Sequence, residues 1–142
     1  MPTGTIKLID VQDISKTTVA GLNGASYVDK MRDAKTFTES SDDIVIDREV
    51  DRVYSTPVKQ GTDLPAITVM ESGQPSLVCT RDSLPDCTVW NGWADKLKAM
   101  GDFEPKDGYK RYICIEPGTV SEWTKLEAGD AWQGGAIFEA KL

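Results

Sequence analysis

Short segments rich in β-branched and aromatic residues recur along the chain at roughly ten-residue spacing, with turn residues between them. This pattern constrains the fold more than any other feature, because helices need longer amphipathic runs. One short helix is predicted over residues 93–100, where Trp93, Leu97 and Met100 share a helical face. The pattern is typical of an all-β fold, an antiparallel β-sandwich or barrel. Strands are predicted over residues 14–20, 43–47, 50–56, 66–71, 76–80, 87–90, 109–115 and 132–140.

The length of 142 residues fits one domain, so residues 1–142 are expected to form a single unit. The chain has 16 Lys and Arg against 23 Asp and Glu, which gives a net charge of −7. A surface this acidic repels phosphate backbones, so no nucleic-acid partner is expected. No apolar run approaches the ~20 residues of a membrane span, and the N-terminus lacks a secretory signal pattern. We therefore expect a cytoplasmic protein without a membrane partner.

The chain contains no histidine. This excludes Ser-His-Asp and Cys-His nucleophilic sites and His-ligated zinc within these residues. Acid–base chemistry must then use carboxylates, Lys, Tyr or Cys. The three cysteines, Cys79, Cys87 and Cys114, are odd in number and widely spaced, so we expect reduced, buried thiols with a structural role.

Five strings in the sequence are more specific than the strand pattern. They occur in a fixed order over about residues 11–140 and resemble the hexose-6-phosphate mutarotases (glucose-6-phosphate 1-epimerases), relatives of aldose 1-epimerase. The strings are Leu22-Asn23-Gly24-Ala25-Ser26-Tyr27-Val28-Asp29-Lys30, Asp51-Arg52-Val53-Tyr54, Trp90-Asn91-Gly92-Trp93, Met100-Gly101-Asp102-Phe103 and Ile113-Cys114-Ile115-Glu116-Pro117-Gly118.

The resemblance implies a galactose mutarotase-like β-supersandwich, of which this chain looks like the C-terminal half. It implies a hexose 6-phosphate or a related sugar as ligand and interconversion of α and β anomers as the reaction, with no metal or organic cofactor. The family uses a carboxylate base and a histidine acid, and Ile6 falls about where that histidine would be. Low activity of this chain alone is therefore expected.

Glu116 is the expected catalytic base. It directly follows the apolar run Ile113–Ile115, and a carboxylate at the end of a buried strand has its pKa raised by desolvation. Pro117-Gly118 is expected to end the strand as a turn. On the residues alone, a surface glutamate at a strand end is the alternative interpretation.

The resemblance implies that three further residues bind the sugar. Asp51 would accept hydrogen bonds from sugar hydroxyls, with a local ion pair to Arg48 or Arg52 as the alternative. Asp29 is a weaker candidate, because a turn after a strand often carries Asp for structural reasons. Trp90 would form an apolar floor under the sugar, with an ordinary core position as the alternative.

Two aromatic residues near the C-terminus, Trp123 and Trp132, are expected to pack on the last strands.

A second function remains open at this point: a non-catalytic carbohydrate-binding or interaction module with the same fold. Half a sandwich would leave an inner sheet face uncovered. From this we predict possible self-association through that face.

Overall fold

The computed structural model describes residues 3–4, 7–56 and 63–141, and Ile6 lies outside them. The described residues contain three short 3₁₀ helices, Ile14–Lys16 and Lys30–Arg32 between strands and Gly108–Arg111 between the α-helix and the strand that follows it. In the described residues there is one α-helix, α1 (Trp93–Ala99), and the strands are β1 (Thr3–Gly4), β2 (Lys7–Asp10), β3 (Thr17–Ala20), β4 (Ser26–Asp29), β5 (Lys35–Thr38), β6 (Asp43–Val45), β7 (Val50–Ser55), β8 (Ile67–Glu71), β9 (Gln74–Asp82), β10 (Asp86–Asn91), β11 (Tyr112–Thr119) and β12 (Gly135–Ala140).

The strands form two antiparallel sheets. Within the described residues, the larger sheet has seven strands in the order β1-β11-β10-β7-β4-β5, with β2 pairing on β11 beside β1. The smaller sheet has five strands in the order β12-β9-β8-β3-β6. The all-β class, the antiparallel sandwich and the single short helix are therefore confirmed.

The core lies between the two sheets. Ile113, Ile115 and Val89 of the larger sheet belong to one buried cluster with Val69 and Cys79 of the smaller sheet. The expectation of an uncovered inner face is therefore wrong, because each sheet covers the other within this chain. Self-association through that face therefore loses its physical basis.

Alternation along β11 divides its side chains between two environments. Ile113 and Ile115 point into the core, while Tyr112, Cys114 and Glu116 point to the opposite face of the larger sheet, which we call the outer face. Helix α1 packs Leu97 onto one end of the outer face, against Tyr112 and Cys114. Glu116 lies further along the strand, past the cover that the helix provides. Of the helices in the described part of the chain, none is long and apolar enough to cross a membrane.

Candidate functional site

Three neighbouring strands bring the candidate residues to the outer face. Glu116 of β11 is paired with Thr88 of β10, and two residues along β10 Trp90 is paired with Asp51 of β7. Directly opposite residues in an antiparallel pair point to the same face, so Glu116, Thr88, Trp90 and Asp51 share one surface. The backbones of β11 and β7 are about 10 Å apart with β10 between them. The two carboxylates can thus reach different parts of one small ligand.

Glu116 is partly buried, and within the described residues its carboxylate accepts no hydrogen bond and forms no ion pair. Burial raises the pKa of Glu116, and the nearby Asp51 carboxylate raises it further, while Lys30 acts in the opposite direction. Desolvation is thus the main cause, as the sequence predicts. The Pro117-Gly118 turn expected after Glu116 is wrong, because β11 continues to Thr119 and pairs with β1 and β10 there.

Asp51 forms an ion pair with Lys30, whose Nζ lies 3.0 Å from Asp51 Oδ1. The side chain of Asp51 is 20% exposed and that of Lys30 51% exposed. Neither arginine of the alternative interpretation pairs with Asp51 here, since Arg48 binds Asp47 and Arg52 binds Asp29. Asp51 and its partner Lys30 therefore both lie near Glu116. Lys30 reaches Asp51 because of the way β4 pairs with β7, which no local sequence motif indicates.

Asp29 lies away from this group. Its carboxylate accepts a hydrogen bond from the Met31 amide at 3.0 Å and forms ion pairs with Arg32 Nε at 3.1 Å and Arg52 Nε at 3.3 Å. Asp29 and Arg52 are paired between β4 and β7, and Arg52 points to the face opposite that of its neighbour Asp51. The structure thus gives Asp29 structural contacts, which favour the structural interpretation over the role of sugar ligand.

Trp90 is partly buried at the border between the packed and open parts of the outer face. Its ring lies 5.6 Å from the ring of Tyr112, and it packs against the cluster that contains Leu97. The same side chain therefore belongs to a small hydrophobic cluster and stands opposite Asp51 in the sheet. Both interpretations of Trp90, core residue and apolar floor of a site, agree with this position.

Asn91 fixes the end of β10, and sequence reasoning gave it no separate role. Its Nδ2 donates to the carbonyls of Tyr109 and Tyr112, both at 2.9 Å, and its Oδ1 accepts from the Trp93 amide at 2.8 Å. These bonds satisfy the backbone where β10 meets α1 and where β11 begins. The string Trp90-Asn91-Gly92-Trp93 thereby sets the orientation of the helix that borders the site.

The three thiols are free and buried, as predicted. Burial raises the pKa of Cys87 and of Cys114 to about 12 each, so both are protonated near neutral pH. They are therefore not activated nucleophiles. In the described residues no group of three or more carboxylates and thiols is placed to hold a metal ion.

A cleft of about 400 Å³ opens on the outer face beyond Glu116. Its walls include Trp123, which the sequence analysis expected to pack on the C-terminal strands. For Trp123 that expectation is wrong, since Trp123 is 74% exposed. The reason is that the segment after β11 is tied to Asp86 and leaves the sheet at that point. Trp132 is partly exposed, and its ring lies against Gly134, directly before β12, in agreement with the expectation.

The sequence matches the family model described as "Aldose 1-epimerase" over residues 5–139. A "Putative glucose-6-phosphate 1-epimerase" of Cenchrus ciliaris is 38% identical over 92% of this chain and 38% of its own length. A protein of the same name from Escherichia coli K12 is 32% identical over 82% of this chain and 37% of its own length. The chain thus spans about two fifths of the curated relatives it matches.

Two crystal structures share the fold. A "putative mutarotase (YeaD)" from Salmonella typhimurium is 24% identical with a TM-score of 0.70, over 85% of this chain and 39% of that one. HI1317 is 13% identical with a TM-score of 0.69, over 97% of this chain and 46% of that one. Because the family model covers nearly the whole sequence, this chain belongs to the aldose 1-epimerase family.

Proposed function

We propose that the outer face binds hexose 6-phosphates and takes part in the interconversion of their α and β anomers. The observation that carries the proposal is Glu116, a partly buried carboxylate without a partner in the described residues, whose pKa burial raises. A base of this kind suits the abstraction of a hydroxyl proton near neutral pH. Glucose 6-phosphate is the proposed ligand because it appears in the names of both curated relatives.

The proposed reaction begins when Glu116 takes the proton of the C1 hydroxyl. The C1–O5 bond then breaks, its electron pair moves to O5, and O5 takes a proton from an acid. Rotation about C1–C2 turns the aldehyde, and the reverse steps close the ring as the other anomer. Asp51 is proposed to accept hydrogen bonds from sugar hydroxyls, for which an ionised carboxylate is a strong acceptor.

The chain has no histidine, so no imidazole of its own can act as the acid that protonates O5. Ring opening needs both proton transfers, so we expect the chain alone to exchange anomers at little more than the buffer rate. The same observation favours the second candidate, a carbohydrate-binding module without catalysis. A cytoplasmic location is proposed with either function, and three free thiols agree with a reducing compartment.

Two measurements on the intact chain test the proposal. Titration with glucose 6-phosphate should produce saturable NMR shifts at the amides of Glu116 and Thr88, and Asp51→Asn should weaken the binding. Saturation transfer between the anomeric protons then measures exchange, first in plain buffer and then with imidazole added as the missing acid. We expect imidazole to accelerate exchange more for the unmodified chain than for Glu116→Gln, by about 100-fold or more for an effective base.

The outcomes separate the candidates. Saturable binding with equal imidazole-dependent rates for the unmodified chain and Glu116→Gln would support the binding module. Exchange well above the buffer rate without imidazole, lost in Glu116→Gln, would show that another residue of this chain acts as the acid. An absence of saturable shifts would contradict binding of glucose 6-phosphate at the outer face, which the proposed reaction requires.

A further inference from the structure

The cleft beyond Glu116 lies one step along the strands from the candidate base. On the outer face, the row that follows Glu116 and Thr88 is formed by Asp86 and Ser55, which are paired between β10 and β7. Ser55 is in turn paired with Ser26 of β4. Two residues along a strand cover about 7 Å, so the cleft adjoins the proposed sugar site without sharing its residues. We call it the Trp123 cleft.

One wall of the Trp123 cleft is built by a buried carboxylate. Asp86 is 1% exposed, and its Oδ2 accepts hydrogen bonds from the amides of Val120 at 2.6 Å and Ser121 at 2.7 Å. The Ser121 hydroxyl donates to the same carboxylate at 2.8 Å. Charge-assisted bonds of this length are strong, so the backbone two residues before Trp123 is fixed. Next to Asp86, the Pro85 carbonyl accepts a hydrogen bond from the Thr56 amide at 3.0 Å, and both residues line the cleft.

The chemistry of the lining points to an uncharged ligand with many hydroxyl groups. The residues that line the cleft include four that carry hydroxyls, Ser26, Ser55, Thr56 and Thr124, together with Trp123 and Glu122. Each hydroxyl can both donate and accept, and a carboxylate accepts from sugar hydroxyls. An exposed indole offers a flat apolar face that suits the C–H face of a sugar ring.

The charge of the lining disfavours an anionic ligand such as a phosphate. None of the described residues that line the Trp123 cleft is Lys or Arg, while Asp86 and Glu122 contribute two carboxylates. An anionic group placed there would meet the like charges of Asp86 and Glu122, which is unfavourable. The volume of about 400 Å³ falls in the range of small-molecule sites.

We propose that the Trp123 cleft is a second binding site, which takes one uncharged sugar or polyol unit through its hydroxyl lining and the Trp123 face. The site goes beyond the proposed function, because it uses residues that the anomer interconversion does not. It also predicts that the phosphate of a sugar phosphate bound at Glu116 points away from the cleft.

The test uses maltose as the uncharged probe and the ¹⁵N-labelled intact chain. We expect maltose to shift the Trp123 indole N–H and the Ser55 amide with one saturable curve. Trp123→Ala should weaken this binding at least tenfold, as followed at the Ser55 amide. Trp132→Ala is the matched control, since Trp132 is a second partly exposed indole that does not line the cleft. The maltose affinity of this variant should equal that of the unmodified chain. Ser26→Leu, which places a bulky side chain in the cleft, should weaken binding as Trp123→Ala does.

Three results would overturn the proposal. The first is a linear, non-saturating response of the Trp123 indole to maltose. The second is unchanged maltose affinity in both Trp123→Ala and Ser26→Leu. The third is tighter binding of inorganic phosphate or glucose 6-phosphate than of maltose at Trp123. Failure of the proposed function is distinct, because it appears as missing glucose 6-phosphate shifts at Glu116 and Thr88 while the maltose response of Trp123 persists.

Discussion

At the residue scale, three charged groups decide the chemistry of the outer face. Glu116 has no partner among the described residues, Asp51 is paired, and Lys30 is the cation that acts on both. The two carboxylates came from recognisable strings in the sequence. Lys30 ends one of these strings, Leu22 to Lys30. Its contact with Asp51, however, depends on how β4 and β7 pair, which no local sequence pattern predicts.

Removal of the cation should raise the pKa of Glu116. The positive charge of Lys30 lowers the pKa of Glu116, against the effects of burial and of the Asp51 charge. Lys30→Met removes this charge, so the neutral form of Glu116 becomes more stable relative to the ionised form. NMR titration of the Glu116 side-chain carboxyl carbon measures the change. Lys16→Met is the control, because Lys16 forms its ion pair with Asp13, at 3.9 Å, near β3 of the other sheet. A Glu116 pKa that is equal in the two variants would contradict the assignment of Lys30.

The raised pKa of Glu116 also predicts a pH-dependent gain in stability for Glu116→Gln. The folded chain binds this proton more tightly than the unfolded chain, so wild-type stability falls as pH rises from the ordinary Glu value through the raised folded value. The glutamine variant lacks this loss. Urea unfolding should therefore show the variant to be more stable at neutral pH, with a difference that disappears below about pH 4. A difference that grows towards acid pH would have the wrong sign.

Asp29 should behave as a structural residue. Asp29→Asn removes the charge that pairs with Arg32 and Arg52, and hydrogen bonds to charged groups are worth about 1.5–3 kcal/mol. We expect a loss of about 2 kcal/mol in the free energy of unfolding, with glucose 6-phosphate binding unchanged. Asp47→Asn is the control, since its ion pair with Arg48 is exposed and should contribute under about 1 kcal/mol. Loss of sugar binding with unchanged stability would instead make Asp29 a ligand residue.

At the scale of elements, the sequence predicted the strands that carry strong β-branched or apolar runs. The hairpin of β8 and β9 and the helix α1 agree with prediction to within a few residues. The strand β4 and the edge strand β5 were missed, because four residues with mixed polar side chains give little periodic signal.

Residues 109–111 were assigned to a strand and form a 3₁₀ turn instead. The Lys110 amide closes this turn by donating to the Asp107 carbonyl, and Asn91 Nδ2 holds the turn from outside by donating to the Tyr109 carbonyl. Contacts between distant residues therefore override local strand preference here. The Trp123 cleft was also beyond sequence reasoning, since its wall depends on Asp86 binding amides more than thirty positions later.

Asn91 should contribute more to the free energy of unfolding than a typical polar residue does. Asn91→Ala leaves the carbonyls of Tyr109 and Tyr112 and the Trp93 amide without their partners in a region where Asn91 itself is fully buried. Buried groups without partners cost about 1–3 kcal/mol each, so we expect a total loss of about 3 kcal/mol in urea unfolding. Asn23→Ala, at an exposed turn, should change stability by under about 0.5 kcal/mol. Similar losses in both variants would contradict the role of Asn91.

At the scale of the whole molecule, the chain closes its own core although it spans about two fifths of its curated relatives. The buried cluster draws on both sheets, and residues such as Val19, Ile67 and Val89 have no exposed surface. The uncovered inner face expected from the resemblance does not occur, because the strands of the smaller sheet come from this same segment. The apolar surface whose burial would have favoured self-association is already buried between the two sheets of this chain.

The closed core predicts a monomer in dilute solution. Sedimentation velocity at increasing concentration should give one mass near 15.6 kDa, because no inner face is left to bury between copies. Ile137 on β12, which is 69% exposed, is the side chain to change if the mass rises with concentration. Association that Ile137→Thr reduces would place the contact on the exposed surface around β12, and the closed core would still hold. Association that persists in this variant, together with binding of a hydrophobic dye, would show that the two sheets separate in solution and would contradict the closed sandwich.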